Sequence, residues 1–376
     1  MAKRDRNVEQ APSGRWKARY RDTDGRPRSV TFDTKAEARQ FLITVRADVQ
    51  RGEWTDPRLG DVTLEEWVTQ WRETVCHLRP STLARDDVYL RSYILSQFGR
   101  RKLASITQPE VAAWVAGLRA RPLAPATVAK AYQILSKALT AAVHARRIAY
   151  NPCSEIKLPR IEQHEMRFLT PAHVGLLADA IDAKYRALVL LAAYGGLRIG
   201  ELAALRPSSL DLLAGRVQVG EICVEVNGRL TSGPPKTRAG RRTVALPRPV
   251  VDELAAHLQA GKSEFVFTRA DGGQLRVNSW RQRYWVPAVA HADLRPLRPH
   301  DLRHTAVAIW IATGANPLEV ARRAGHTSVS FTLDRYGHLF PEADRTLAQR
   351  LEAVYVAPAA APTAPVVELE KGRQTR

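Results

Sequence analysis

The stretch Pro299-His-Asp-Leu-Arg-His-Thr305 carries more information about fold and chemistry than any other part of this chain. His300, Arg303 and His304 stand at positions i, i+3 and i+4, so a helix here places all three side chains on one face. This histidine spacing also suits two zinc ligands, but Arg303 lies between the histidines and repels a cation, and no Cys or Glu stands at a convincing third position. We therefore expect no metal site, and we expect His304 to be a packing or supporting residue.

Upstream of this stretch, Arg198 and Glu201 lie in the segment Gly196-Leu-Arg-Ile-Gly-Glu-Leu202. Glu201 is three residues after Arg198, which puts both side chains on the same face of a helix. The neighbouring residues are apolar, and a partly buried guanidinium needs an anion. The pattern fits a simple Arg–Glu helix pair, and it equally fits an arginine that Glu201 steadies while its free edge holds a phosphate.

Downstream, Gly325-His326 precedes Tyr336, which lies in Asp334-Arg-Tyr-Gly-His338. Alone, His326 would be an ordinary capping or core histidine and Tyr336 a core aromatic. A phenol with its usual pKa near 10 becomes a useful nucleophile only where a base or concentrated positive charge favours phenolate. Two arginines, two histidines and one tyrosine, in this order, predict a site that binds a phosphate and attacks it with a phenolate.

The composition agrees with a polyanionic partner. The chain has 376 residues, a formal net charge of +19 and a calculated pI of about 10.3. A strongly basic folded chain usually binds a polyanion, although a basic surface without a specific partner gives the same charge. We expect no membrane partner, because the sequence contains no long apolar span. The three widely spaced cysteines and the polar N-terminus predict a cytoplasmic protein, associated with the nucleoid.

The predicted fold class is mostly α with small β-sheets. Residues 1–60 read as a small sheet-plus-helix module, residues 61–153 as a helical bundle, residues 154–356 as a mixed α+β domain and residues 357–376 as a disordered tail rich in Ala, Pro and Thr. The segment Asn151 to Glu165 looks like an exposed linker. In the third domain, strand character at Arg216–Val226 and Arg242–Leu246 flanks a basic hairpin.

The first module begins with Arg15-Trp-Lys-Ala-Arg-Tyr20 and Arg28-Ser-Val-Thr-Phe32, which read as two strands. A helix from Lys35 to Gln50 follows. The basic side chains of the sheet either face a DNA groove or form a solvated hairpin face. The candidate DNA contacts here are Arg15, Lys17, Arg19, Arg26 and Arg28. The bundle carries apolar stripes at helical spacing, and its tryptophans are expected in the core.

The ordered set Arg198, His300-x-x-Arg303, His326 and Tyr336 resembles the active-site signature of the tyrosine recombinases, the lambda-integrase-like family. The wordings Gly-Leu-Arg-Ile-Gly-Glu-Leu, His-Asp-Leu-Arg-His-Thr and Gly-His followed by Tyr-Gly-His are close to those usual in the family. Each motif is weak singly, but the ordered set is very specific. The resemblance covers roughly residues 61 to 345.

The family also has a catalytic lysine on a hairpin, and Lys236 in Pro235-Lys-Thr-Arg-Ala-Gly-Arg-Arg242 matches that position. Nearby arginines compete for this assignment, and they are also candidate DNA contacts: Arg238, Arg241 and Arg242.

The resemblance implies that Arg198 and Arg303 bind the non-bridging oxygens of a DNA phosphate, with Glu201 supporting Arg198. His300 and His326 add hydrogen bonds. No cofactor or metal is needed, because the arginines stabilise the negative charge that a cation would otherwise stabilise.

In the implied reaction Tyr336 attacks the phosphorus, His300 takes or guides the phenolic proton, and Lys236 protonates the departing 5′-oxygen. The product is a 3′-phosphotyrosine bond, so rejoining needs no ATP. Four protomers act on two double-stranded DNA attachment sites. The helix from Pro341 to Val354 docks on a neighbouring subunit or packs back on its own.

The basic N-terminal module resembles the arm-site-binding domain of integrases from phages and mobile elements, which makes the bundle the core-binding domain. This favours an integrase that inserts and excises an element, working with a DNA-bending host factor and a directionality factor. The alternatives are a Xer-like dimer resolvase, a type IB topoisomerase-like enzyme that relaxes supercoils as a monomer, and a non-catalytic DNA-binding regulator. A regulator would have no use for Tyr336.

Overall fold

A computed structural model of the chain describes residues 7–21, 25–51, 57–161, 166–259, 261, 263–340, 348 and 351–352. The chain divides into two compact units, Met1–His164 and Glu165–Arg376. The mostly helical prediction is confirmed, and the sheets are small and antiparallel. The predicted boundaries within each unit stay predictions. None of the helices in the described ranges has the length and apolar content needed to cross a bilayer.

The first unit begins with a three-stranded antiparallel sheet in the order β1-β2-β3, followed by a helix. The elements are β1 Val8–Gln10, β2 Trp16–Arg21, β3 Pro27–Phe32 and α1 Lys35–Arg51. The sequence predicted β2, β3 and α1 but missed β1. Every second residue of β2 faces α1. The central one, Ala18, is fully buried against Ala38 and Leu42 of the helix.

Strand alternation divides the basic residues of this sheet between two faces. Lys17 and Arg19 lie opposite Thr31 and Ser29 and point away from α1. Arg28 lies opposite Tyr20, whose ring packs with the small core, so Arg28 belongs to the helix-covered face. The expectation of one common basic face therefore does not extend to Arg28.

The bundle follows. Its helices are α2 Leu64–Thr74, α3 Pro80–Tyr89, α4 Ser96–Phe98, α5 Gln108–Arg119 and α6 Pro125–His144, with a π-helical turn at Leu90–Leu95 between α3 and α4. Capping boxes begin two of them, because Thr63 pairs with Glu66 before α2 and Thr107 with Glu110 before α5. The tryptophans are core residues as predicted, and Trp67 Nε1 donates to the carbonyl of Ala138 at 2.8 Å.

The start of the predicted linker packs on this bundle. Asn151 Nδ2 donates to the Ser136 carbonyl at 3.1 Å and to Thr140 Oγ1 at 2.9 Å, and Cys153 is buried. The prolines and charges predicted an exposed linker, but the hydrogen bonds of the Asn151 side chain hold the start of this segment against α6. Residues 162–165, most of the predicted helix from Pro341 to Val354 and the tail from residue 357 lie outside the described residues.

The second unit alternates helices with two small sheets. Its helices are α7 Pro171–Ala180, α8 Arg186–Gly195, α9 Ile199–Ala203, α10 Arg248–Gln259, α11 Val277–Trp280, α12 Val286–His291, α13 Asp301–Ala312, α14 Pro317–Ala324 and α15 Val329–Tyr336. Its strands are β4 Leu210–Asp211, β5 Arg216–Val219, β6 Ile222–Val226, β7 Arg229–Gly233 and β8 Arg242–Ala245. The order β4-β5-β8 forms one antiparallel sheet, and β6-β7 forms a hairpin.

The buried helix α8 is central to this unit because its apolar residues pack against both α7 and α13. It ends at Gly196, which adopts the left-handed conformation with φ 67°. α14 ends in the same way at Gly325, also with φ 67°. These two glycine turns precede Arg198 and His326, so the ends of α8 and α14 determine the positions of these two predicted site residues.

Replacing Gly196 by alanine should lower the free energy of unfolding by at least about 2 kcal/mol, through backbone strain and overpacking. The new Cβ would lie 2.5 Å from Cη2 of Trp310, at a positive φ that an alanine resists. The matched control is Gly175→Ala in α7, where an added Cβ meets nothing within 4 Å. There we expect a gain of up to about 1 kcal/mol from helix propensity. Urea unfolding measures both, and equal stability of the two variants would contradict the expectation.

Candidate active site

A buried carboxylate organises the first part of the site. Arg198 immediately precedes α9, and Glu201 in its first turn accepts hydrogen bonds from the Arg198 backbone N–H and from Nη1, both at 2.8 Å. Arg242 on β8 donates from Nη1 and Nη2 to the two oxygens of the same carboxylate, at 3.1 and 3.0 Å. Burial acts to raise the pKa of Glu201, but the hydrogen bonds and charges of Arg242 and Arg198 outweigh it and lower the pKa.

The sequence left open whether Arg198 only forms an ion pair with Glu201 or also binds a phosphate, and the position of its side chain allows both. Its side chain keeps 39% of its surface exposed while it pairs with Glu201, whose side chain is 1% exposed. The guanidinium is therefore held at one edge and accessible at another, as a phosphate-binding arginine requires.

Arg242 corrects one sequence-based expectation. It was a candidate DNA contact, but its side chain is 5% exposed and it pairs with Glu201 inside the unit. Its Nε also donates to the carbonyl of Arg323 at 2.8 Å. Burial removes it from the reach of a DNA backbone and makes it a support for Glu201. Arg238 and Arg241 are exposed and remain candidates.

Arg303 is a buried cation in the first turn of α13. Its Nη1 donates to the carbonyl of Gly196 at 2.6 Å, and its Nη2 donates to the carbonyl of Ala324. These carbonyls lie at the ends of α8 and α14, so Arg303 joins the two glycine turns that precede Arg198 and His326. Burial and the charges of Arg198 and Arg242 lower the pKa of Arg303 to about 9, which leaves it protonated at neutral pH.

His326 lies directly after the second glycine turn. Its Nδ1 shares a hydrogen bond of 2.8 Å with Oγ1 of the fully buried Thr332, which fixes the orientation of the ring. Its ring is stacked on that of Tyr336, with an interplanar angle of 6° and centroids 6.2 Å apart. Burial and the nearby charge of Arg303 lower the pKa of His326 to about 3, so it is neutral at physiological pH.

His300 precedes α13 and is exposed. Its ring meets that of His304 edge to face, with centroids 4.8 Å apart. Partial desolvation and the charges of Arg303 and Arg198 lower the pKa of His300. An accessible imidazole beside two guanidiniums can donate a hydrogen bond to a bound phosphate, which is one of the roles predicted for His300.

Tyr336 is the last residue of α15 and is only 1% exposed. Burial raises its pKa and outweighs the opposing effects of Arg303 and Arg335. Nearby positive charge does favour the phenolate, as expected, but in this structure the cost of burial is larger, so the net effect is a raised pKa. A basic cluster lowers a phenol's pKa only where desolvation does not cost more.

The hydroxyl of Tyr336 contacts His304, which the sequence indicated only as a packing or supporting residue. His304 Nδ1 and Tyr336 Oη are 2.6 Å apart and share a hydrogen bond. Burial and the neighbouring His300 lower the pKa of His304 to about 4. The signal was present in the sequence, since His304 follows Arg303 on the same helical face, but nothing in its spacing indicated contact with Tyr336.

Lys236 is exposed on the loop after β7. This loop lines a cleft of about 360 Å³ together with residues of the site, among them Arg198, Glu201, Gly325 and His326. The cleft thus joins the hairpin to the arginine and histidine that were predicted to hold a phosphate. Among the described residues, no group of three His, Cys, Asp or Glu side chains is placed to share a metal ion.

Three protein-family models match the chain in order. They are the phage integrase N-terminal domain over residues 7–51, the phage integrase N-terminal SAM-like domain over residues 63–119 and the phage integrase family over residues 160–343.

Among similar sequences, the putative prophage phiRv2 integrase of Mycobacterium tuberculosis is 29% identical over 357 residues, covering 92% of this chain and 94% of its own length. The ICEBs1 integrase of Bacillus subtilis is 25% identical over 290 residues, covering 73% and 78%.

Two solved structures share the fold. One is the Tn1549 transposon integrase in complex with a circular intermediate DNA, with a TM-score of 0.68, 18% identity and coverage of 77% of this chain and 99% of that one. The other is a lambda integrase tetramer bound to a Holliday junction, with a TM-score of 0.56, 17% identity and coverage of 86% and 96%.

Proposed function

The chain belongs to the phage integrase family of tyrosine recombinases, and on that premise we propose that it cuts and rejoins double-stranded DNA at specific sites through Tyr336. The observation that carries this proposal is that Arg303 bonds the ends of α8 and α14, which bring Arg198 and His326 together, and that Arg198 donates to the carbonyl of Gly325 beside His326. The two fixed guanidiniums and the neutral imidazole, as a hydrogen-bond donor, suit the negative charge that a phosphodiester gathers when an oxygen attacks it.

In the proposed reaction the Tyr336 oxygen forms a bond to phosphorus and the bond from phosphorus to the 5′-oxygen breaks. Lys236 gives its proton to that oxygen, and His300 takes or guides the phenolic proton. The 3′-phosphotyrosine conserves the bond energy, so a DNA hydroxyl can reverse the step. Arg198 and His300, which are accessible, contact the phosphate. Arg303 adds positive charge from its buried position behind them.

We further propose that four subunits act together on two duplexes. The lambda integrase that shares this fold was solved as a tetramer on a Holliday junction, which supports that arrangement. The match of residues 7–51 to the phage integrase N-terminal domain supports arm-site binding by the sheet module. On this basis the reaction inserts and excises a phage or other mobile element, assisted by a DNA-bending host factor and a directionality factor.

A Xer-like resolvase is the second candidate. The tyrosine recombinase XerC of Roseiflexus castenholzii is 27% identical over 284 residues, covering 72% of this chain. The N-terminal match favours the integrase. A type IB topoisomerase-like enzyme would relax supercoiled DNA without a partner site, and a supercoil-relaxation assay separates it from both recombinases.

Tyr336→Phe should abolish covalent adduct formation while DNA binding persists, because the substitution removes only the attacking oxygen from a buried ring. The assay is incubation with nicked duplexes carrying candidate attachment sites, followed by a denaturing gel. Tyr185→Phe is the matched control, since that tyrosine is equally buried but its hydroxyl donates to the backbone carbonyl of Thr268, at 3.0 Å, and does not contact His304 or His326 in the described structure. An adduct that survives in Tyr336→Phe would move the nucleophile elsewhere.

Lys236→Ala should slow cleavage of ordinary DNA by about 100-fold to 10,000-fold, the range of a lost general acid. DNA with sulfur in place of the bridging 5′-oxygen should restore the rate, because a thiolate leaves without a proton. Arg238→Ala, an exposed cation on the same loop, is the control and should not show substrate-dependent rescue. A Lys236→Ala defect of equal size on both substrates would rule out leaving-group protonation by this residue.

Lys17→Ala combined with Arg19→Ala should weaken binding of full-length protein to duplex DNA and reduce the slope of log affinity against log salt by about 2, as expected for two lost phosphate contacts. Both residues lie on the sheet face away from α1. Arg28→Ala, on the opposite face, should leave the slope unchanged. An equal effect of both changes would argue against a face-specific DNA contact.

A further inference from the structure

His304 is the unexplained polar residue of the site. It is 3% exposed, it lies on α13 between Arg303 and Thr305, and its Nδ1 is 2.6 Å from the hydroxyl oxygen of Tyr336. The two residues are 32 positions apart in the chain, so the contact exists only because α15 packs against α13. A buried polar group is expected to have a partner, and the imidazole and the hydroxyl bond each other, with the Arg335 side chain as a further partner of the hydroxyl.

The same contact conflicts with the reactivity that the family requires of Tyr336. An attacking oxygen must reach a phosphorus, whereas this hydroxyl is occupied by an imidazole and its residue is 1% exposed. The ring is further held by the parallel ring of His326, whose own Nδ1 is bonded to Thr332. The described arrangement is therefore one in which the nucleophile is held and not yet presented.

We propose that His304 is a positioning residue for the nucleophile, whose hydrogen bond holds the Tyr336 hydroxyl inside the second unit until a DNA phosphate takes its place. The inference rests on the proposed role of Tyr336 as nucleophile. It assigns to His304 a task distinct from that of His300, which is exposed and meets His304 only through its ring.

The expected change in accessibility of the Tyr336 hydroxyl follows from the strength of its hydrogen bond to His304. A buried hydrogen bond shifts the balance between held and released forms by roughly threefold to tenfold. That is enough to keep most molecules in the held form and small enough for the phosphate contacts of Arg198 and His300 to overcome. His304 therefore controls how often the hydroxyl is accessible in the absence of DNA.

The test measures accessibility and needs no catalysis. Full-length protein without DNA is treated with N-acetylimidazole, which acetylates accessible tyrosines, and tryptic peptides are quantified by mass spectrometry. Cleavage after Arg335 and Arg345 releases Tyr336 in a peptide that contains no other tyrosine and no lysine. Tyr150, 65% exposed, and Tyr185, 1% exposed, serve as internal references for open and buried phenols.

In the wild type, Tyr336 should react far more slowly than Tyr150. His304→Phe keeps an aromatic ring but removes the bonding nitrogen, and it should speed acetylation of Tyr336 by about threefold to tenfold, with Tyr185 unchanged. His304→Asn, which keeps a polar atom near the position of Nδ1, should stay closer to the wild type. No acceleration in His304→Phe, or equal acceleration in both variants, would overturn the proposal.

A second measurement leaves His304 intact, in case its replacement disturbs folding. The ¹⁵N resonance of His304 Nδ1 is compared between wild type and Tyr336→Phe, and loss of the phenol should shift it. An unchanged resonance would overturn the proposal. Because neither experiment uses DNA, their failure would leave the adduct assay for Tyr336 unaffected, and failure of that assay would leave these results standing.

Discussion

The arrangement of the active site depends on the hydrogen bonds of one buried cation. Arg303 donates to the carbonyls of Gly196 and Ala324, which end α8 and α14. Each of these helices ends in a left-handed glycine, and Arg198 or His326 follows within two residues. Since an unpaired buried guanidinium is costly, α8, α13 and α14 hold their relative positions, and the two residues stay at a fixed separation.

The site contains more positive charges than negative ones. Glu201 supplies one carboxylate to both Arg198 and Arg242, while Arg303 bonds neutral carbonyl oxygens. The three guanidiniums thus keep an excess of positive charge, which lowers the pKa of Arg303 further than burial alone. A bound phosphate would neutralise this excess. The protein stores electrostatic repulsion in the absence of DNA and relieves it on binding, which favours ligands with negative charge.

The same excess charge and burial keep the imidazoles neutral. The lowered pKa values of His304, about 4, and His326, about 3, mean that both rings act through hydrogen bonds at physiological pH. Tyr336 lies against both rings as a neutral phenol with a raised pKa. Folding alone therefore assembles the groups that we propose to bind phosphate, whereas the proposed attack by Tyr336 requires a further change in the environment of its hydroxyl.

The sequence by itself determined the apolar stripes of the bundle helices, and it predicted the residues of the site, because Arg198 and Glu201, like His300 and Arg303, stand three positions apart as neighbours on a helix do. Only the tertiary structure decided that Arg242 lies inside, that His304 reaches Tyr336, and that burial outweighs charge at the phenol. The reason is physical. Spacing fixes neighbours along one element, while desolvation and contacts between distant elements depend on how those elements pack.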